Sequence, residues 1–152
     1  MAGGAHAVSA SLLLDTHAWI WFAVGDRRIA KHARALDRAA DRRSLLLSSI
    51  SIYETTLIGL ETDGGVRRGR QAVKMRPSVR QWIHEAIAGT RVAVLPLDAE
   101  VATDGAELEA MHADPFDRLI VAAATRSRAR LVTADAKIIE FARAASLPVL
   151  AL

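Results

Sequence analysis

The sequence predicts an α/β protein with a mostly parallel sheet of four to five strands and helices on both faces. Short apolar runs alternate with longer amphipathic segments along the chain, which is typical of parallel strands joined by crossover helices. The chain has 152 residues, of which 51% are hydrophobic, so it is long enough for one domain with a sizeable core. We therefore expect a single domain over residues 11–152, arranged as a three-layer α/β/α sandwich.

Five apolar runs are short enough to be buried strands. The first of them stops at Asp15, and the last contains Pro148, which an edge strand can accommodate. The five predicted strands lie at 11–14, 45–48, 91–95, 130–133 and 147–150.

The segments between these runs predict helices. Asp26 is expected to cap a helix from Arg27 to about Arg42, and Ser49 or Ser51 to cap the next one. Glu54 then lies in the first turn or so of that third helix, on the side where the second strand ends. The other predicted helices lie at 16–22, from Pro77 to Gly89, from Asp98 to about Met111, from Pro115 onward and at 137–145.

The amino-acid composition limits which metals the chain could bind and bears on where in the cell it is found. The chain contains no cysteine, so any metal ligands must come from Asp, Glu or His, and such sites favour magnesium, manganese or calcium. The lack of cysteine also fits a cytoplasmic protein. No apolar run approaches the roughly 20 residues of a membrane span. The first ten residues lack the pattern of a signal peptide and are expected to be a disordered lead-in.

The net charge is +3, and its distribution is uneven. A basic strip over residues 66–80 contains no acid. This strip is either a solvated surface or a phosphate-contacting surface, and in the second case Arg67, Arg68 and Arg70 are candidate RNA contacts. Its basic residues are Arg67, Arg68, Arg70, Lys74, Arg76 and Arg80. Trp19, Trp21 and Trp82 are expected in the core or at an interface rather than as base-stacking surfaces.

The stretch from His112 to Ala124 places two carboxylates at the start of a buried helix. Asp114 followed by Pro115 is typical of a helix start. Asp117 then lies at the third helical position, near the positive end of the helix dipole. These acids could serve only as caps, or they could form part of a site for a hard cation.

Three further carboxylates are expected at the same edge of the sheet. Asp15 ends the first strand, Glu54 follows the second strand by about one helical turn, and Asp135 lies two residues beyond Thr133. In open parallel sheets the ligand site lies outside the carboxyl ends of the strands. Asp15 or Asp135 alone could be a helix cap, and Glu54 alone could be a first-turn partner of the helix dipole. Clustered carboxylates, however, repel one another unless protons or cations offset their charge. One or two divalent cations would do so and would also activate water against a phosphodiester.

These same residues resemble a known family. Four segments look like the PIN-domain ribonucleases and, more narrowly, are similar to the VapC toxins of bacterial toxin–antitoxin pairs. The segments are Leu-Leu-Leu-Asp-Thr-His-Ala-Trp at 12–19, Ser-Ile-Ser-Ile-Tyr-Glu at 49–54, His-Ala-Asp-Pro-Phe-Asp-Arg-Leu-Ile-Val-Ala-Ala-Ala at 112–124 and Val-Thr-Ala-Asp at 132–135.

The resemblance implies a PIN-like fold and a metal-dependent endoribonuclease that uses Mg²⁺ or Mn²⁺. It assigns Asp15, Glu54, Asp117 and Asp135 as catalytic and metal-binding residues. Asp114 would be an outer supporting residue or a cap, and Thr133 would support metal-bound waters. The implied partners are RNA, a VapB-type antitoxin and a second copy of the chain.

Two other interpretations remain open at this stage. The chain could be a catalytically silent module that binds RNA or a protein partner, although an intact acidic quartet argues against it. It could also be a metal-dependent phosphoesterase that acts on another substrate, which only substrate assays would distinguish.

Overall fold

The computed structural model describes residues 10–63, 78–109, 111 and 114–152. Within these ranges, five strands form one all-parallel sheet in the order β3-β2-β1-β4-β5. The predicted fold class is therefore confirmed. The strands are β1 (Leu12–Leu14), β2 (Leu45–Ser48), β3 (Ala93–Leu95), β4 (Arg130–Thr133) and β5 (Val149–Ala151).

The described residues form seven α-helices, which mostly follow the predicted segments. The second helix is shorter than predicted. The Asp26 side chain accepts from the backbone N–H of Arg28 at 2.9 Å, so it closes a turn, and regular α-helix begins only after a 3-10 turn at Ala30–His32. The helices are α1 (Thr16–Val24), α2 (Ala33–Asp41), α3 (Ser49–Asp63), α4 (Val79–Thr90), α5 (Ala99–Glu107), α6 (Pro115–Arg126) and α7 (Ala136–Ala144).

Alternate residues of the central strands enter two different hydrophobic clusters. Leu14 and Leu47 belong to one cluster, which also contains residues of α1, α2 and α4. Leu13 and Leu46 belong to the other, with residues of α5, α6 and α7. Since successive strand side chains point to opposite faces, helices cover both faces of the sheet, as in an α/β/α sandwich.

The strand order creates a switch point beside β1. The chain moves outward from β1 through β2 to β3, and then returns to place β4 on the other side of β1. The backbone N–H of Asp15 still donates to the carbonyl of Val132 at 3.1 Å, so β1 and β4 end side by side. Ligand sites of open α/β sheets lie at such switch points, outside the carboxyl ends of the strands.

The close contact between α5 and α6 helps to place the first turn of α6. A methyl group added at Gly105 would lie 2.7 Å from Cδ2 and 3.3 Å from Cα of Leu119. A side chain at this position would require Leu119 to shift, so Gly105 favours the close approach of α5 to α6. Leu119 lies two residues after Asp117, so this packing helps to fix where Asp117 lies.

Several predictions fall outside the described residues. They concern the lead-in up to residue 9, His112, Pro77 and the basic strip apart from Arg80. Within the described ranges, the structure contains no helix that is both long and apolar enough to span a membrane.

Candidate active site

A cavity of about 300 Å³ opens at the carboxyl edge of the sheet, beside the switch point. All four acids predicted to form the site lie in its wall, and Asp114 lies there as well. They come from four parts of the chain that the fold brings together. The lining carboxylates are Asp15, Glu54, Asp114, Asp117 and Asp135.

Asp15 is the most buried of these acids, with 7% of its surface exposed. Its Oδ1 caps α1 by accepting from the backbone N–H of Ala18 at 2.8 Å. Its Oδ2 accepts a hydrogen bond from the hydroxyl of Thr133. Burial raises the pKa of Asp15, while the hydrogen bonds from Thr133 and Ala18 oppose that rise. Capping and cavity lining are therefore compatible roles for this residue.

Thr133 connects Asp15 to Asp135. Its hydroxyl oxygen is fully buried with the rest of the side chain, and it accepts from the backbone N–H of Asp135 at 3.0 Å. Oδ1 of Asp135 in turn caps α7 by accepting from Lys137 at 2.8 Å and Ile138 at 3.1 Å. The end of β4 and the start of α7 thus hold Asp135 in place.

Glu54 is held by Thr16 and Ser51, two residues that the sequence analysis did not assign to the site. The hydroxyl of Thr16 donates to Oε1 of Glu54 at 2.7 Å, and the hydroxyls of Thr16 and Ser51 lie 3.0 Å apart. A hydroxyl has one proton, so Ser51 must donate to Thr16 when Thr16 donates to Glu54. Burial raises the pKa of Glu54, and the hydrogen bond from Thr16 opposes it.

The predicted cap of α3 also differs from the observed one. The side chain of Ser48 accepts from the backbone N–H of Ile50 at 3.2 Å, whereas Ser51 is fully buried against Thr16. The cap therefore lies at Ser48 rather than at Ser49 or Ser51. The sequence signal that could have identified Thr16 as part of the site is its position directly after Asp15, at the start of α1.

Asp117 is a half-buried acid surrounded by other negative charges. It is the third residue of α6, as predicted, and Asp114 caps the same helix by accepting from Phe116 at 2.9 Å. Burial, together with the negative charges of Asp114, Asp135, Glu54 and Asp15, raises the pKa of Asp117 to about 7. The ionised form of Asp117 is therefore disfavoured in the metal-free protein.

The chemistry of the cavity fits a hard divalent cation. Its donors are carboxylate oxygens, which magnesium and manganese prefer, and a cation would offset the repulsion that raises the pKa of Asp117. Within the described parts of the chain, no three His, Asp or Glu side chains form an assembled metal-binding group. The acids surround the cavity rather than meeting at one point, so a bound ion would have to draw them inward.

Fold and cavity together define an α/β protein with an acidic site at the carboxyl ends of parallel strands. A family model described as PIN domain matches residues 12–146. The chain belongs to the PIN domain family, and the family predicted from the sequence is confirmed. The matched range contains Asp15, Glu54, Asp117 and Asp135. No curated protein sequence matches the chain.

Solved structures with the same fold include chains of VapBC complexes and of FitAcB. The chain is similar to one in the structure of VapBC2 from Rickettsia felis bound to a DNA fragment from their promoter, with 18% identity, 93% of this chain and 98% of that chain covered, and a TM-score of 0.64. It is also similar to a chain of DNA-bound VapBC from Salmonella typhimurium, with 19% identity, 93% and 98% coverage and a TM-score of 0.60. A chain of FitAcB from Neisseria gonorrhoeae matches with 19% identity, 91% and 96% coverage and a TM-score of 0.58.

Proposed function

We propose that this PIN-domain protein is a metal-dependent endoribonuclease and the toxin of a toxin–antitoxin pair. The observation that carries the proposal is the cavity at the switch point, which is lined by Asp15 after β1, Glu54 of α3, Asp117 of α6 and Asp135 after β4. A module that had lost catalysis would have no need to keep acids where burial and neighbouring negative charges raise the pKa of Asp117 to about 7.

In this proposal Asp15, Glu54, Asp117 and Asp135 hold Mg²⁺ or Mn²⁺. When bound, the ion would lower the pKa of a coordinated water and offset the charge that develops on the phosphate. Thr133 positions Asp15 and Asp135 through its two hydrogen bonds. Asp114 supports the start of α6 and adds negative charge beside Asp117.

The proposed partners follow from the fold neighbours. VapBC complexes from two organisms share the fold, which supports a VapB-type antitoxin as partner. A homodimeric toxin and a cytoplasmic location remain predictions from the sequence. RNA contact by Arg67, Arg68 and Arg70 stays a prediction from charge. A triple alanine variant would test it, because each lost phosphate contact should reduce the slope of log affinity against log salt by about 0.7 on single-stranded RNA.

The decisive experiment measures cleavage of single-stranded and structured RNA by the purified protein. We expect cleavage with Mg²⁺ or Mn²⁺ and none with EDTA. Asp135→Asn should lose cleavage by orders of magnitude. Asp104→Asn is the matched control, since this acid of α5 pairs with Arg126 at 2.6 Å and does not line the cavity.

Three outcomes would contradict the proposal. Cleavage that persists in a rigorously metal-free preparation would remove the role of the cation. Equal activity of the Asp135→Asn and Asp104→Asn variants would remove the cavity from the mechanism. Hydrolysis of small phosphate esters with no cleavage of any RNA would identify a phosphoesterase instead.

A further inference from the structure

Two tryptophans of α1 have different environments although they are only two residues apart. Trp19 is fully buried, its indole N–H donates to the hydroxyl of Thr90 at 3.1 Å, and its ring packs edge-on against Trp82. Trp21 is only partly buried, and it lines the carboxylate cavity. Trp19 therefore serves the core, as expected from the sequence, whereas Trp21 presents part of an aromatic surface to the candidate active site.

Arg28 lies over the indole ring of Trp21. Its guanidinium carbon is 4.2 Å from the centre of the ring, and Arg28 is not part of the cavity wall. Gly25, at a φ of 68°, ends α1 and turns the chain back. Asp26 then fixes Arg28 through hydrogen bonds to its backbone N–H and side-chain Nε, both at 2.9 Å, and to its terminal nitrogen at 2.6 Å.

The cavity side of Trp21 lies beside groups that suit nucleic acid. His17, one helical turn earlier, lies with its ring centre 6.2 Å from that of Trp21, at an angle of 51°. Both residues share the cavity wall with Asp15 and Glu54. An aromatic surface backed by a cation stacks bases with little dependence on sequence, because every base has a π-face.

We propose that the cavity side of Trp21, flanked by His17, binds a nucleobase next to the phosphodiester on which the carboxylates act. This inference rests on the proposed function. It adds to the proposed ribonuclease site a surface that holds one base of a single-stranded RNA. Arg28 is a positioning residue that keeps the indole facing the cavity. The carboxylates act on the phosphate, and Trp21 orients the nucleotide that carries it.

The test compares Trp21→Leu and Trp21→Phe with the wild-type protein on a short single-stranded RNA that the wild type cleaves. Loss of one stacked base should raise KM roughly 5- to 150-fold, and Trp21→Phe should keep part of the affinity because it retains a ring. Trp82→Leu is the matched control, since it removes a partly buried indole from α4, outside the carboxylate cavity. Thermal melts with and without Mg²⁺ show whether each variant is folded and binds metal.

The same RNA, with one abasic nucleotide moved in turn through the positions around the cut, identifies the bound base. At one position, the abasic substitution in the RNA should raise the KM of the wild-type protein as much as Trp21→Leu does with the intact RNA. At that position it should have no further effect on the Trp21→Leu variant, because the stacked pair is already lost. This non-additivity separates a base contact from a structural role of Trp21.

A KM of folded Trp21→Leu within two-fold of the wild-type value, or losses that add at every abasic position, would overturn the base-binding site alone. Failure of the folded wild-type protein to cleave any RNA with Mg²⁺ or Mn²⁺ would overturn the proposed function together with this inference.

Discussion

The two walls of the carboxylate cavity hold their acids in different ways. On the strand wall, Asp15 is buried but receives hydrogen bonds from Ala18 and Thr133 that stabilise its ionised form. On the helix wall, burial and neighbouring charges all raise the pKa of Asp117, to about 7. Hydrogen bonds from Ala18 and Thr133 therefore oppose the effect of burial on Asp15, whereas neighbouring negative charges add to the effect of burial on Asp117.

The two walls therefore differ in their electrostatics rather than in capping. The strand wall is part of the framework, because Asp15 and Asp135 cap α1 and α7 and are connected through Thr133, but Asp114 on the helix wall caps α6 as well. On the helix wall, the metal-free fold disfavours the ionised form of Asp117. A cation bound between the walls would offset this negative charge and stabilise the folded protein.

The largest expected effect follows from changing the strand wall. Asp15→Ala removes the α1 cap and leaves the buried hydroxyl of Thr133 without its acceptor. We expect a loss of roughly 1–3 kcal/mol in the free energy of unfolding, together with loss of RNA cleavage by orders of magnitude. Urea unfolding in EDTA measures the first effect. Unchanged stability would show that Asp15 is not part of the framework.

Thr133 tests the connection between Asp15 and Asp135. Thr133→Val keeps the shape of the side chain but removes a donor to Asp15 and an acceptor for the backbone N–H of Asp135. We expect a loss of about 1–3 kcal/mol, since buried polar groups lose their partners, and Thr133→Ser should recover most of it. Equal stability of the Val and Ser variants would contradict the framework role of the hydroxyl.

Thr16 tests how Glu54 is held. Thr16→Val removes the hydroxyl that donates to Glu54 and accepts from Ser51. We expect kcat to fall about ten-fold, equivalent to about 1.4 kcal/mol, because Glu54 is no longer oriented. Thr16→Ser should retain activity. If both variants have the wild-type kcat at equal stability, Thr16 does not position Glu54.

The sequence predicts the site's acids better than the contacts that hold them. Asp15 directly follows β1 and Asp135 lies two residues after β4, so the alternation of strands and helices was sufficient to bring them to one edge. The pairing of Asp15 with Thr133 joins residues 118 positions apart, and that of Thr16 with Ser51 joins residues 35 positions apart. Such contacts depend on strand register and side-chain rotamers, which have no local signal in the sequence.

The main error in the fold prediction is the helix start at Asp26, where a helix cap and a turn compete for the same side chain. Asp26 has the residue type of a helix cap, and the pattern after it has helical spacing. Its side chain instead bonds both the backbone and the guanidinium of Arg28, which stabilises a turn and places Arg28 over Trp21. An Asp side chain can either cap a helix or close a turn. Here the contact between Arg28 and Trp21 accompanies the turn.

The central claim is that Asp117 carries a charge that the metal-free fold disfavours and that a cation offsets. The most direct measurement is the thermal stability of the wild-type protein and of Asp117→Asn between pH 5 and pH 8, in EDTA and with Mg²⁺. A folded-state pKa of about 7, against 3.8 for an ordinary Asp side chain, means that the native state binds more protons than the unfolded state over this range. Stability must therefore fall as pH rises towards 7.

In EDTA we expect the wild-type protein to lose more stability between pH 5 and pH 7 than the variant, which should be at least as stable at pH 8. Mg²⁺ should restore the stability of the wild type and stabilise the variant less. If Asp117→Asn is instead less stable in EDTA, with the same dependence on pH and the same response to Mg²⁺, then Asp117 only complements the helix dipole and the proposed metal site is wrong.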